Sequence, residues 1–153
     1  MKKTVDWKKI LDAAELFREE ADACLDAGIT VAGLAIVRAS LEALLLAFFL
    51  LHVFDASGEE LKDWGIEISK DSDAPLVSYE GPLKLRDMTE GLRTLYKKGF
   101  LSKKAYLGAE RIRKWGNLIH AENLASTRKP SLRNLKARLN DLDIILEEFS
   151  RII

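Results

Sequence analysis

Several residue types are scarce in this 153-residue chain, and each scarcity excludes a class of protein. The single cysteine, Cys24, cannot form an internal disulfide, which argues against a disulfide-stabilised secreted domain. Three prolines and nine glycines are too few for a collagen-like or low-complexity chain. Because 48% of the residues are apolar and 31% charged, we expect one globular domain over residues 1–153, located in the cytoplasm.

The chain also lacks a long uncharged apolar run. Arg38 and Glu42 interrupt its most apolar stretch, residues 29–54, and the uncharged remainder falls short of the ~20 residues that cross a bilayer. The N-terminal lysines are not followed by an apolar run, so we expect neither an export signal nor a membrane partner. Two histidines and one cysteine form no zinc pattern, and no calcium loop or phosphate-binding glycine loop is present. We predict no metal and no cofactor.

Charge is balanced overall but divided along the chain. Residues 1–80 contain 8 Lys/Arg and 16 Asp/Glu, whereas residues 81–140 contain 15 Lys/Arg and 4 Asp/Glu, an excess of 11 positive charges (15 − 4). Such a division can help two parts of a fold attract each other, or it can form a positive face for a polyanion such as RNA.

Apolar residues recur at helical spacing along most of the chain, and no window shows convincing strand-like alternation. We predict an all-α, up-down helical bundle of about five helices. The predicted helices run from Trp7 to near Gly28, over residues 29–54 and 83–98, from Ser102 to about Asn123, and from Pro130 onwards. The last helix has an apolar seam formed by Leu132, Leu135, Leu139, Leu142, Leu146, Phe149 and Ile153.

The acidic stretch 55–82 has a different character from the rest of the chain. It contains three of the nine glycines and two of the three prolines, so we predict a loop or insertion there. Ser57 and Glu60 form a capping box for one short helix within it.

A polar stripe follows one face of the fourth predicted helix. Steps of four and three residues place its members in line: Tyr106, Glu110, Arg113, Asn117 and His120. Beside it lies a stripe of mostly small residues: Ala105, Ala109, Ile112, Gly116 and Ile119. The small residues would let this helix approach a neighbour closely, and they are one ground for expecting a homodimer. The polar stripe offers proton donors, proton acceptors and a phosphate-binding group.

Two segments resemble the HEPN (higher eukaryotes and prokaryotes nucleotide-binding) superfamily. Residues 113–120 read Arg-Lys-Trp-Gly-Asn-Leu-Ile-His, an Arg-x6-His motif similar to the signature helix of the superfamily. Residues 37–45 contain Arg38 and Glu42 in an Arg-x3-Glu arrangement that resembles the core helix of a poorly characterised branch. The resemblance covers roughly residues 29–150, without the acidic stretch.

The resemblance implies a helical bundle that dimerises so that the Arg-His helices of two chains face each other across a cleft. In active members this cleft is a metal-independent endoribonuclease site. His120 would then be the general acid/base, Arg113 would bind the scissile phosphate, and Asn117 would orient one of them. A toxin-like or defence setting with an antitoxin-like partner would fit this function. The residues expected to bind substrate are Tyr106, Glu110, Arg38 and Glu42.

Simpler interpretations remain open for the same residues. Arg113 can pair with Glu110 one turn earlier, and a histidine near a helix C-terminus, such as His120, interacts favourably with the helix dipole. Arg38 and Glu42, four residues apart in an apolar helix, are expected to form a buried ion pair whether or not they line a site. The alternative function is a non-catalytic HEPN-type dimer that binds nucleotide, RNA or a partner protein through the basic face.

Overall fold

The computed structural model describes residues 3–48, 66–69, 76–79, 88–117 and 129–152. Within these ranges it contains five helices: α1 (Trp7–Asp26), α2 (Thr30–Phe48), α3 (Met88–Lys97), α4 (Lys103–Gly116) and α5 (Leu132–Ile152). Helix α2 contacts each of the other four, so it is the centre of the bundle. The predicted all-α helical bundle is confirmed.

Short-range signals in the sequence set the helix ends. Asp6 caps the N-terminus of α1, where its carboxylate accepts the backbone N–H of Lys8 at 2.9 Å. Ser102 caps α4, as predicted, and its hydroxyl accepts the N–H of Ala105 at 3.1 Å. Gly28 has a φ of +74°, a left-handed conformation that ends α1 and that other residues rarely adopt.

The apolar stretch predicted over 29–54 forms the core helix α2. By length and composition α2 is apolar enough to cross a membrane, but more than half of it is buried inside the bundle. Phe48, at its end, stacks on Phe149 of α5 with the ring centroids 4.2 Å apart, and meets Phe100 edge-on at 5.4 Å. These contacts are those of the central helix of a bundle. Residues 49–54 of the predicted helix lie outside the described residues.

The apolar seam of α5 differs in part from its prediction. Leu135, Leu139, Leu142 and Phe149 are buried as expected, but Leu132 is 42% exposed because it lies in the first turn, at the edge of the bundle. Ile145, which was not assigned to the seam, is fully buried. The buried face of α5 is therefore wider than a single three-four seam, as befits a helix that contacts α1, α2 and α4.

A small antiparallel sheet accompanies the helices, and the sequence analysis did not predict it. Strands β1 (Lys3–Asp6), β2 (Ile66–Ser69) and β3 (Leu76–Tyr79) pair in the order β1-β3-β2. The prediction of a loop over 55–82 was thus wrong for residues 66–69 and 76–79. Each strand has only four residues, too few for alternation to stand out, and β1 pairs with a strand more than seventy positions away in the chain.

Three other predicted helix boundaries lie at or beyond the edges of the described ranges. The α-helical part of α4 ends at Gly116, with Asn117 as its C-cap, which is earlier than the predicted end near Asn123. Helix α3 ends at Lys97, just before Gly99, as predicted, while residues 83–87 lie outside the described ranges. The capping box of Ser57 and Glu60 also lies outside them.

Candidate functional site

Helix α4 lies in the bundle through its small-residue face. Ala105 and Ala109 are fully buried, Ile112 is 1% exposed, and Gly116 is also buried. They face α2 and α5, which flank α4. The predicted close approach is confirmed, but it occurs within one chain. The small-residue stripe is therefore not available as a surface for a second copy, whereas the polar stripe beside it lies at the edge of the buried face.

Arg113 and Glu110, two members of the polar stripe, bind each other directly. Arg113 Nη2 lies 2.9 Å from Glu110 Oε2, and Arg113 Nε lies 3.4 Å from Oε1, so the contact is bidentate. Only 21% of the Arg113 side chain and 16% of the Glu110 side chain are exposed. Because this ion pair holds the Arg113 guanidinium on one face of α4, the guanidinium is preorganised, and it is already oriented for an oxyanion.

Arg38 lies against the same helix from the side of α2. A Cβ on Gly116 would be 2.7 Å from Arg38 Cβ and 2.9 Å from Cγ, so the stem of Arg38 occupies the space that a side chain at 116 would need. The arginine thus lies beside the end of α4, one turn from Arg113. The absence of a side chain at Gly116 is what permits this approach.

The expected ion pair between Arg38 and Glu42 is wrong. In the part of the chain that the structure describes, no carboxylate lies within 4 Å of Arg38, and its buried Nε has no hydrogen-bond partner. Although the two residues are one helical turn apart, the Arg38 side chain is directed to Gly116 instead. Burial of a guanidinium N–H without an acceptor lowers the free energy of unfolding by about 1–3 kcal/mol. An anionic ligand can supply the missing acceptor, so this group is suited to one.

Tyr106 begins the polar stripe and is stacked on a residue that the sequence analysis did not select. Its ring lies 4.6 Å from the ring of Tyr96 on α3, with 14° between the planes. Tyr106 packs against the hydrophobic core, and Tyr96 is 37% exposed. This stacking contact was hard to predict from the sequence, because Tyr96 and Tyr106 are ten residues apart on two helices and meet only through the tight α3–α4 turn.

The sequence analysis also missed a charged cluster between α4 and α5. Asp141 is only 7% exposed and receives two hydrogen bonds from Arg111, at 2.8 and 3.1 Å. Arg138 Nε lies 2.9 Å from the same carboxylate, in an ion pair whose N–H is not aligned for a hydrogen bond. The hydrogen bonds that Arg111 donates to the Asp141 carboxylate raise the pKa of Arg111. This cluster joins the two helices.

Two residues of the predicted site are not among the contacts that the structure describes. His120, the predicted acid/base, lies outside the described residues, and so does His52. Glu42 is half-buried on α2 without an ion pair to Arg38. Among the described ranges, no three histidine, cysteine or acidic side chains lie close enough together to hold a metal ion.

The structure therefore brings together Glu110 with Arg113, Tyr106 with Tyr96, and Arg38 with the end of α4 next to Asn117. The chain matches no protein-family model, no curated protein and no solved structure. Its function has to be inferred from these residues and from the resemblance of its two short motifs.

Proposed function

We propose that this protein is a HEPN-like, metal-independent endoribonuclease that acts as a homodimer. The observation that carries the proposal is the Arg38 guanidinium, which has no anionic partner among the described residues and lies beside the end of α4. Arg113 lies one turn earlier on the same helix, oriented by Glu110. Two guanidinium groups near one helix end are suited to a phosphodiester, because each can donate two N–H groups to its oxygens.

In the proposed reaction, His120 removes the proton from a ribose 2′-hydroxyl, and the 2′-oxygen attacks the adjacent phosphorus. The bond from phosphorus to the 5′-oxygen breaks, that oxygen takes up a proton from water, His120 releases its proton to the solvent, and a 2′,3′-cyclic phosphate remains. Arg113 stabilises the negative charge that develops on the phosphoryl oxygens. Residues 113 and 120 are seven positions apart, which is about 10.5 Å along the helix that the sequence predicts as far as Asn123; on that prediction they would flank one phosphate.

A cytoplasmic location fits this proposal. Cellular RNA is there, and the only cysteine, Cys24, carries a free thiol, which a reducing compartment preserves. A defence or toxin-like setting with an antitoxin-like partner is part of the same proposal.

One observation favours a second candidate function, a non-catalytic HEPN-type dimer that binds RNA, nucleotide or a partner protein. Glu110 already occupies both N–H groups of the Arg113 fork that face it, so a phosphate has to compete with a carboxylate. A binding module tolerates this competition better than an enzyme does, because it needs positive potential and not a fully available guanidinium.

Cleavage of a mixed RNA pool in EDTA separates the two functions. If the protein is the enzyme, His120→Ala should lower the cleavage rate by about 10²- to 10⁴-fold, while circular dichroism shows an unchanged helix content. Arg113→Ala should slow cleavage and also weaken RNA binding. Absence of cleavage by the wild type, with RNA still bound, would favour the binding module. Equal cleavage by wild type and His120→Ala would exclude His120 as the catalytic residue.

A further inference from the structure

The stacked tyrosines form an aromatic surface at the corner between α3 and α4. Tyr106 packs against the core, and Tyr96 covers it at 4.6 Å with nearly parallel rings. Tyr96 is 37% exposed, whereas Tyr106 is half-buried, so Tyr96 is the more accessible residue of the pair. A ring held in place by a second ring below it is a preorganised platform for a further flat group, because little rotamer freedom is left to lose on binding.

Positive charge surrounds this aromatic surface. Residues 91–109 contain five Lys/Arg and no Asp/Glu, and all five basic side chains are exposed: Arg93, Lys97, Lys98, Lys103 and Lys104. No carboxylate of the described residues lies within 4 Å of any of them. A cluster of cations of this kind attracts phosphate groups, and counterion release on binding makes the affinity depend on salt.

An open hollow of about 470 Å³ lies along α3, the helix that carries Tyr96, and is lined by Thr89, Glu90, Arg93, Thr94 and Lys97. Arg93 lies one turn before Tyr96, and Lys97 follows it directly. Two cations and two hydroxyl groups face this space, against the one carboxylate of Glu90. The hollow is therefore polar and net positive, which suits a sugar-phosphate better than an apolar ligand.

We propose that the Tyr96–Tyr106 pair and its cations form a stacking site for an unpaired base of single-stranded RNA. The proposal rests on the proposed function and deepens it by assigning the substrate class. Tyr106 lies seven residues before Arg113 on α4, about 10.5 Å along the axis. About three stacked nucleotides span that length at ~3.4 Å each, so a base on Tyr96 places a nearby phosphate at the arginines. A duplex, whose bases are already stacked, cannot use the platform.

The test measures binding of a short single-stranded 2′-O-methyl RNA that carries 2-aminopurine. This RNA has no free 2′-hydroxyl and stays intact, and the fluorescence of 2-aminopurine falls when it stacks. Tyr96→Ala should weaken binding by about 5- to 150-fold, the loss expected for one base–aromatic stack, and should remove the quenching. Tyr96→Phe keeps the ring and should bind as the wild type does.

Salt dependence separates stacking from charge. Tyr96→Ala removes no charge, so the slope of log affinity against log salt should stay unchanged, whereas Lys104→Gln should reduce that slope by about 0.7. If the tyrosine pair only packs α3 on α4, Tyr96→Ala will change the unfolding midpoint but not the affinity or the quenching. That result overturns the stacking site and leaves the proposed function standing. A wild-type protein that binds no RNA at low salt overturns both.

Discussion

Gly116 of α4 packs directly on the stem of Arg38 of α2. A Cβ at position 116 would lie 2.7 Å from Arg38 Cβ, a distance at which one of the two residues has to shift. Because a Cβ atom moves only with its backbone, relief would require α2 and α4 to separate. The missing side chain therefore fixes the spacing of the two helices that carry Arg38 and Arg113.

We expect Gly116→Ala to destabilise the fold by about 1–2 kcal/mol. Overpacking of a tight contact lowers the free energy of unfolding by about 1–3 kcal/mol, whereas the higher helix propensity of alanine raises it by up to about 1 kcal/mol. Urea denaturation followed by circular dichroism measures the difference. Gly108→Ala is the matched control in the same helix, because its Cβ would meet Asp141 Cβ at 3.3 Å and needs only a small adjustment. Its effect on the free energy of unfolding should be clearly smaller than that of Gly116→Ala.

A second substitution identifies the source of the strain. If Gly116→Ala acts through Arg38, it should cost much less in an Arg38→Gly background, which has no Cβ at position 38, and the double-mutant cycle should give a clear coupling free energy. Additive losses in the cycle would mean that the alanine clashes with something other than Arg38.

The buried carboxylate of Asp141 gives a second stability prediction. Asp141→Asn should lower the free energy of unfolding by about 2–3 kcal/mol, because two arginines lose their anion. The effect stays below that of a fully buried pair, since the Arg111 side chain is 46% exposed and can turn to water. The contact with Asp141 raises the pKa of Arg111, so its guanidinium stays charged, and the stability it contributes is lost only as the pH rises through that raised pKa, far above neutral pH.

Asp143→Asn is the matched control for Asp141→Asn, two positions further along α5. Asp143 also forms a two-point contact, with Arg18 at 2.9 and 3.0 Å, but its side chain is 48% exposed. We expect a loss below about 1 kcal/mol for this exposed pair. Equal losses for the two substitutions would show that burial does not set the strength of the Asp141 cluster.

The sequence predicted the helical part of the fold because helical periodicity and caps are local signals. Ser102 and Gly28 mark helix ends by their own conformational preferences, and both ends were found where expected. The sheet was missed because it depends on pairing between segments far apart in the chain. Nothing in the four residues of β1 reveals that they meet β3.

The sequence predicted which residues of the candidate site share one face of α4, but not all of the contacts that the site residues make. Spacing placed Glu110 and Arg113 on one side of α4, and their ion pair follows from that local geometry. The same reasoning failed for Arg38 and Glu42, because the partner that draws Arg38 aside is a glycine on another helix. A glycine has no side chain and adds nothing to an apolar or charged sequence pattern. The contact between Gly116 and Arg38 is therefore visible only in the folded structure.

A homodimer is the third prediction, and its interface has to lie outside the buried small-residue stripe. Light scattering at micromolar concentration should give twice the chain mass of 17.2 kDa. If the α4 helices face each other, Leu107, which is 43% exposed on α4, lies at or near the interface, and Leu107→Asp should favour the monomer. Leu132→Asp is the control, since Leu132 is 42% exposed but lies on α5. A 17.2 kDa species alone in the wild type would contradict a site shared by two chains.

The last prediction concerns Glu110, which holds the guanidinium of Arg113. If Arg113 binds phosphate, its carboxylate partner competes with RNA, and Glu110→Gln should raise the affinity and steepen the salt dependence, because one more positive charge faces the backbone. Arg113→Gln should do the reverse. Glu147→Gln, in the exposed pair with Arg151 on α5, changes the net charge equally and serves as the control. Fluorescence anisotropy with single-stranded RNA at several salt concentrations measures all three variants. If Glu110→Gln instead weakens binding, Glu110 orients Arg113 for the phosphate and does not compete with it; if it behaves like Glu147→Gln, the pair lies outside the RNA site.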